Sequence, residues 1–147
     1  MLPLLSLQAF AQVPQNPNIK AYDTLTFNSN GCYGSCPTYS VTLKPDGKVI
    51  FNGIRYTKVK GEFSFMIPVE DFIQIYNQVE PLRAVAKQPP YQCKIERTDA
   101  QSFNLSWLTK KGIDTRYGYY TGCLDQDYPK INPLGALAKL HISRYIR

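Results

Sequence analysis

Histidine occurs once in the 147 residues, at His141, and acidic side chains number only 11. A histidine-based metal centre is therefore excluded, and a Ser-His-Asp triad would depend wholly on that single ring. The chain contains neither a Gly-x-Ser-x-Gly nucleophile elbow nor a phosphate-cradling glycine loop. No apolar run approaches the ~20 residues of a membrane-spanning helix, so no membrane span is expected. Internal repeats and low-complexity tracts are also missing. The net charge is +6, yet the Lys and Arg residues are scattered, and no nucleic-acid-binding motif accompanies them. The densest groups are Arg55, Lys58 and Lys60, then Lys110, Lys111 and Arg116. Solubilising charge is the plainer reading, and attraction to acidic lipids or glycans is the other.

What is present describes a folded domain. Hydrophobic residues make up 44% and charged residues 19%, a globular balance for a chain that buries a core as one domain. Tyrosine dominates the aromatics, with 11 Tyr against 7 Phe and 1 Trp. Its apolar body and polar tip suit half-buried sheet positions. Residues 2–10 are apolar and uncharged, and Ala9-Phe10-Ala11 offers a small-x-small cleavage site. Residues 1–11 read as an export signal, leaving Gln12 as the mature start. No basic residue precedes the run, so a truncated start or a buried N-terminal element stands as the alternative. Residues 12–21 form a polar, proline-containing leader, and residues 22–147 a single α+β domain.

Alternation predicts the strands. Residues 24–28 are β-prone, and residues 38–44 place Tyr39, Val41 and Leu43 on one face. Lys44-Pro45-Asp46-Gly47 turns the chain into residues 48–53, making a hairpin. Residues 61–67 add a strand with Phe63, Phe65 and Ile67 aligned, and residues 54–60 begin that strand or form an edge. Pro68, Glu70 and Asp71 open a helix over residues 69–79 that Pro81 ends. A loop over residues 81–100 follows. Residues 101–109 align Phe103, Leu105 and Trp107, and residues 113–120 pair back with Ile113, Thr115, Tyr117 and Tyr119 on one face. Asn132 and Pro133 start a final helix with Leu134, Leu137, Ala138, His141, Ile142 and Tyr145 inward. The order ββββ-α-ββ-α implies an antiparallel sheet of five to six strands with two helices packed on one face.

Four cysteines remain to be placed. An even number in an exported chain predicts disulfides. Three connectivities are possible, and locality favours Cys32–Cys36 with Cys93–Cys123. The second pair would staple the loop before the last hairpin to the loop after it. Four thiolates would satisfy zinc chemically, but Cys93 and Cys123 lack knuckle spacing. No metal or other cofactor is expected. A catalytic dithiol would be Cys-x-x-Cys at a helix start, whereas Cys32 and Cys36 are spaced by three and precede a strand. Asp125 and Asp127 offer a calcium or acid–base pair, but a calcium loop needs several more oxygen ligands, and a solvated loop before the last helix is the plainer reading.

The most distinctive stretch is Gly31-Cys32-Tyr33-Gly34-Ser35-Cys36-Pro37-Thr38-Tyr39. It resembles the hallmark of a bacterial exported family of unknown function, Cys-(Tyr/Phe)-Gly-x-Cys-Pro-x-Tyr, followed by a strand, an Asp-Gly turn and a second strand. The resemblance spans about residues 22–145 and is specific in its first half. It implies an exported bacterial domain and no particular reaction. With so few catalytic groups, the reading is a non-enzymatic binding module of the cell envelope, periplasmic or extracellular. Its partner would be an envelope protein or glycan. The candidate surface combines Tyr33 and Ser35 with Tyr117, Tyr119 and Tyr120, although sheet packing is the plainer reading of those last three. The alternative is a thiol–disulfide redox protein using Cys32 and Cys36.

Overall fold

A computed structural model describes residues 22–86, 93–112, 114–124 and 133–147. The expected export signal and leader, Pro89-Pro90, Ile113, Asp125, Asp127, Tyr128 and Asn132 lie outside the described residues, as do the side chains of Tyr119 and Leu134. Six strands form one antiparallel sheet: β1 (Thr24–Ser29), β2 (Thr38–Leu43), β3 (Lys48–Arg55), β4 (Gly61–Met66), β5 (Ser102–Leu108) and β6 (Asp114–Tyr120). Their spatial order is β4-β3-β2-β1-β5-β6, which puts the first strand in the interior of the sheet. Helix α1 (Val69–Ala86) links β4 to β5. After β6 come α2 (Pro133–Ala136), a 3-10 turn (Leu137–Leu140) and α3 (Ser143–Ile146). The α+β architecture with one covered sheet face follows from the alternation within each strand.

Register turns that alternation into rows. One inward row runs Phe63, Phe51, Val41, Phe27, Leu105, Tyr117 across all six strands. Its neighbour runs Phe65, Val49, Leu43, Leu25, Trp107, Thr115. Leu25, Val41, Leu43, Val49, Phe51 and Trp107 are fully buried. The outward rows are polar and small: Ser40, Asn28 and Asn104 in one, and Thr42, Thr26 and Ser106 in the next. A period of two residues per side-chain repeat produces this division without help from the helices.

The turn between β2 and β3 shows its chemistry directly. Gly47 holds φ 92°, and the Lys48 amide donates to Asp46 Oδ1 at 2.9 Å. Gly47 also touches the chain entering α1, since a Cβ there would meet the Ile67 carbonyl. Strand β3 runs two residues further than expected, through Ile54 and Arg55, and residues 56–60 form the turn into β4.

Helix α1 buries Phe72, Ile75, Tyr76, Val79 and Leu82, a single stripe at helical spacing. Pro81 does not end it, contrary to the sequence expectation; α1 continues to Ala86. Pro81 is exposed and has no N–H to return to the carbonyl of residue 77. The turn persists because Leu82 is fully buried and Arg83 pairs with Asp23 at 2.8 Å, with its guanidinium 6.0 Å from the Trp107 ring centre. Tertiary docking outweighs the missing hydrogen bond.

The last helix is also different from expectation. It is broken into α2, the 3-10 turn and α3. His141 adopts a left-handed conformation (φ 51°) and is exposed, as is Ala138. The buried residues of the segment are Ala136, Leu137, Leu140 and Ile142. A left-handed residue ends one helical run, so the inward stripe shifts out of 3.6 periodicity. Beyond the break, Tyr145 lies edge-on to Phe63, with centres 4.7 Å apart, and close to Phe51 and Phe65. Helix α1 lies against β6, and the C-terminal segment covers β3 and β4. The Val59 amide donates to the Tyr145 carbonyl at 3.0 Å, fastening this cover to the β3–β4 turn.

Candidate functional site

The β1–β2 connection is closed by a Cys32–Cys36 disulfide. Its base is cemented from the sheet. Ser29 Oγ donates to the Pro37 carbonyl at 2.8 Å, and Gln101 Nε2 donates to both Ser29 Oγ (2.6 Å) and the Pro37 carbonyl (2.8 Å). The Asn30 amide donates to the Ser102 carbonyl at 2.9 Å. Within the loop the Gly34 amide donates to the Cys32 carbonyl, also at 2.9 Å. The result is a rigid mount that leaves Tyr33 89% exposed, with Ser35 exposed beside it.

Chemistry at this disulfide is limited by its setting. The next element is β2, which starts at Thr38, so no helix N-terminus supports a thiolate on Cys32. The second bond, Cys93–Cys123, spans 30 residues and ties the loop before β5 to the end of the β5–β6 hairpin. Backbone pairing extends that hairpin: the Arg97 amide donates to the Gly122 carbonyl at 2.6 Å and the Leu124 amide to the Ile95 carbonyl at 2.9 Å. Among the described residues no group of three or more His, Cys, Asp or Glu side chains is arranged to hold a metal.

Tyr117 and Tyr120 of the second hairpin do not share one surface. Tyr117 is buried on the inward face. Tyr120 alternates to the other face, where its hydroxyl donates to the Arg97 carbonyl at 2.6 Å and accepts from the Ala100 amide at 3.3 Å. Tyr120 is thus a brace for the 97–100 loop. Period two puts residues 117 and 120 on opposite faces, so these two tyrosines of the expected surface have separate surroundings. Ser102 lies opposite Tyr120 and next to Asn30, so this brace and the 31–37 loop share one end of the sheet.

A cleft opens at the same end, on the covered face. Its larger lobe, about 350 Å³, is bounded by Ser29, Pro37, Tyr39, Gln101 and Phe103 from the sheet and by Ser143, Ile146 and Arg147 from the C-terminal segment. An adjoining lobe of about 300 Å³ shares Tyr39, Ser143 and Ile146 and extends to Leu137, His141 and Ile142. Burial pushes the Tyr39 hydroxyl above its ordinary pKa, so it is protonated at neutral pH. On the opposite, open face Thr26, Asn28, Asn104 and Ser106 border a polar groove of about 340 Å³, closed by Arg116, which is paired with Asp114 at 2.6 Å. Sequence patterning singled out neither Gln101 nor the Tyr39 cleft, because both depend on strands far apart in the chain.

No helix of the described residues is long and apolar enough to cross a membrane. No curated protein matches the chain. Residues 23–132 match the family described as domain of unknown function DUF6438, and the chain belongs to that family.

Proposed function

We propose that this chain is a bacterial, exported, non-catalytic binding module of the cell envelope, periplasmic or extracellular, that offers the Cys32–Cys36 loop to an envelope protein or glycan. The observation that carries the reading is Tyr33, 89% exposed on a mount held by a disulfide and three hydrogen bonds at its base. A large exposed aromatic ring on a loop braced at its base offers binding area on a backbone already ordered before a partner arrives. Two disulfides support an oxidising compartment, and the apolar start with Ala9-Phe10-Ala11 supports export.

The test is expression of the full chain in its source cells with a photo-crosslinking residue in place of Tyr33. The expected result is an envelope or secreted product that begins at Gln12, carries no free thiol and forms a discrete cross-linked adduct. A cytosolic product with four reduced cysteines, or no adduct, would overturn it. The half-buried Cys32 and Cys36 on an exposed loop keep the redox reading as the competitor. Turnover in a disulfide-reduction assay that disappears in Cys32→Ser would transfer the function to that reading.

A further inference from the structure

We propose that the outer edge of β4 pairs with the same edge of a second copy of this chain, antiparallel and symmetric about Ser64, so that two sheets become one. The inference does not rest on the reading of the Tyr33 loop.

Strand β4 ends the sheet, and its sheet partner is β3. The Ile67 amide donates to the Gly47 carbonyl at 2.9 Å. With a period of two, Phe65, Phe63 and Gly61 likewise turn their N–H and C=O groups toward β3, in register with Val49, Phe51 and Gly53. Glu62, Ser64 and Met66 turn theirs outward. All three residues are exposed, and nothing among the described residues pairs with their outward backbone groups. Soluble proteins blunt such an edge with proline, lysine, a bulge or a covering segment. Strand β4 contains neither proline nor lysine, and its register with β3 is unbroken. The backbone bonds of the C-terminal segment reach Lys58 and Val59, ahead of the strand. The other end of the sheet is different. There the Thr121 amide donates to the Gln101 carbonyl, which by the same period turns the backbone of Asp114 and Arg116 outward on β6, and their ion pair charges that edge.

A free strand edge takes an extended backbone, and the side chains of β4 select a second β4. Antiparallel pairing centred on Ser64 sets Ser64 against Ser64 of the second copy and Glu62 against its Met66. This register maps the three outward residues onto themselves, so each of their N–H and C=O groups finds a partner. Glu62 is the only charged residue of the strand, and it faces no like charge. Centring on Glu62 would oppose two carboxylates, and centring on Met66 would set Ser64 against Pro68, which has no N–H to give. On the covered face the Ser64 register sets Phe63 beside Phe65 of the second copy. Both rings are half-buried, whereas Phe51 and Val49, next to them in their rows, are fully buried. Phe63 already meets Phe65 at 6.2 Å and Tyr145 at 4.7 Å between ring centres. A second copy continues an aromatic cluster that otherwise stops at the sheet margin, which a polar peptide would not do.

The experiment is sedimentation of the full chain at rising concentration, joined to amide hydrogen exchange. A dimer should form by roughly 100 μM, and exchange at residues 62, 64 and 66 should slow as it does. Ser64→Lys sets two lysines against each other on the symmetry axis, and Ser64→Glu two carboxylates; each should weaken the dimer at least about tenfold. Both variants should melt close to the parent protein, because Ser64 is exposed. An equimolar mixture of the two should restore a dimer containing one of each. A chain that stays monomeric overturns the proposal, including one whose edge is protected only by an added extended peptide. A dimer that protects other amides, a dimer undiminished by Ser64→Lys, or a mixture that does not associate would each overturn it as well.

Discussion

Gln101 reaches Ser29 across 72 residues of sequence, its side-chain amide 2.6 Å from the serine hydroxyl. That contact joins the entrance of β5 to the exit of β1 and fixes the base of the disulfide loop through the shared Pro37 carbonyl. Gln101→Ala removes two of the three hydrogen bonds that tie together buried Ser29, half-buried Pro37 and residue 101, leaving only Ser29 to the Pro37 carbonyl. The expected loss is about 1–3 kcal/mol in urea unfolding, with faster proteolysis within residues 31–37. An unchanged midpoint and cleavage pattern would show that the contact does not hold the loop.

The two disulfides should contribute unequally. On the chain-entropy model the 30-residue Cys93–Cys123 closure is worth about 3–4 kcal/mol, while the four-residue Cys32–Cys36 closure is worth about 2 kcal/mol. Replacing each pair by Ser and measuring stability should therefore give the larger loss for Cys93 and Cys123. The reverse order would mean that the small loop carries the hairpin end, and not the other way round.

Pro81→Ala should stabilise the protein by roughly 1–2 kcal/mol. The substitution supplies an N–H for the carbonyl of residue 77, and the exposed position removes no packing. Part of the gain is offset because the unfolded chain becomes more flexible. Thermal unfolding of the variant measures the balance, and a lower Tm would contradict this account of α1.

Alkaline pH should weaken the fold. Tyr39 and Tyr76 both have pKa values raised above the ordinary 10.0, Tyr39 by burial and Tyr76 by burial and then by Glu80 and Asp23. Both states hold these protons below the unfolded value, so the stabilisation is complete there. It is lost as pH climbs through about 10 and toward the higher folded values, because the unfolded chain releases protons first. Unfolding midpoints between pH 8 and 11 should fall, and Tyr76→Phe should flatten the decline. A flat profile in the parent protein would contradict the assignment.

Much of this fold is written in local patterns. Residues 38–44 and 101–109 alternate so regularly that Tyr39, Val41, Leu43, Leu105 and Trp107 can be assigned inward from sequence alone, and all are buried. Pro68 with Glu70 and Asp71 marks the start of α1 for reasons contained within one turn. The errors share a cause. Pro81 looks like a stop because its own backbone opposes a helix, but Leu82 and Arg83 find partners on β5 and ahead of β1 that local propensity does not register. His141 looks inward because residues 134–145 keep helical spacing until a single left-handed residue breaks the phase. The cleft was not legible for a related reason. Tyr39, Gln101 and Ser143 meet only after β1 has entered between β2 and β5.

The position of β1 in the sheet has a consequence for assembly. As the polypeptide emerges, strands one to four can zip into a four-stranded ribbon, but one border of the first strand stays open until the fifth arrives some seventy residues later. During that interval a sister molecule could supply the missing neighbour. Slow emergence would lengthen the exposure, and domain-exchanged dimers joined through the first and fifth strands are the misassembly this topology invites.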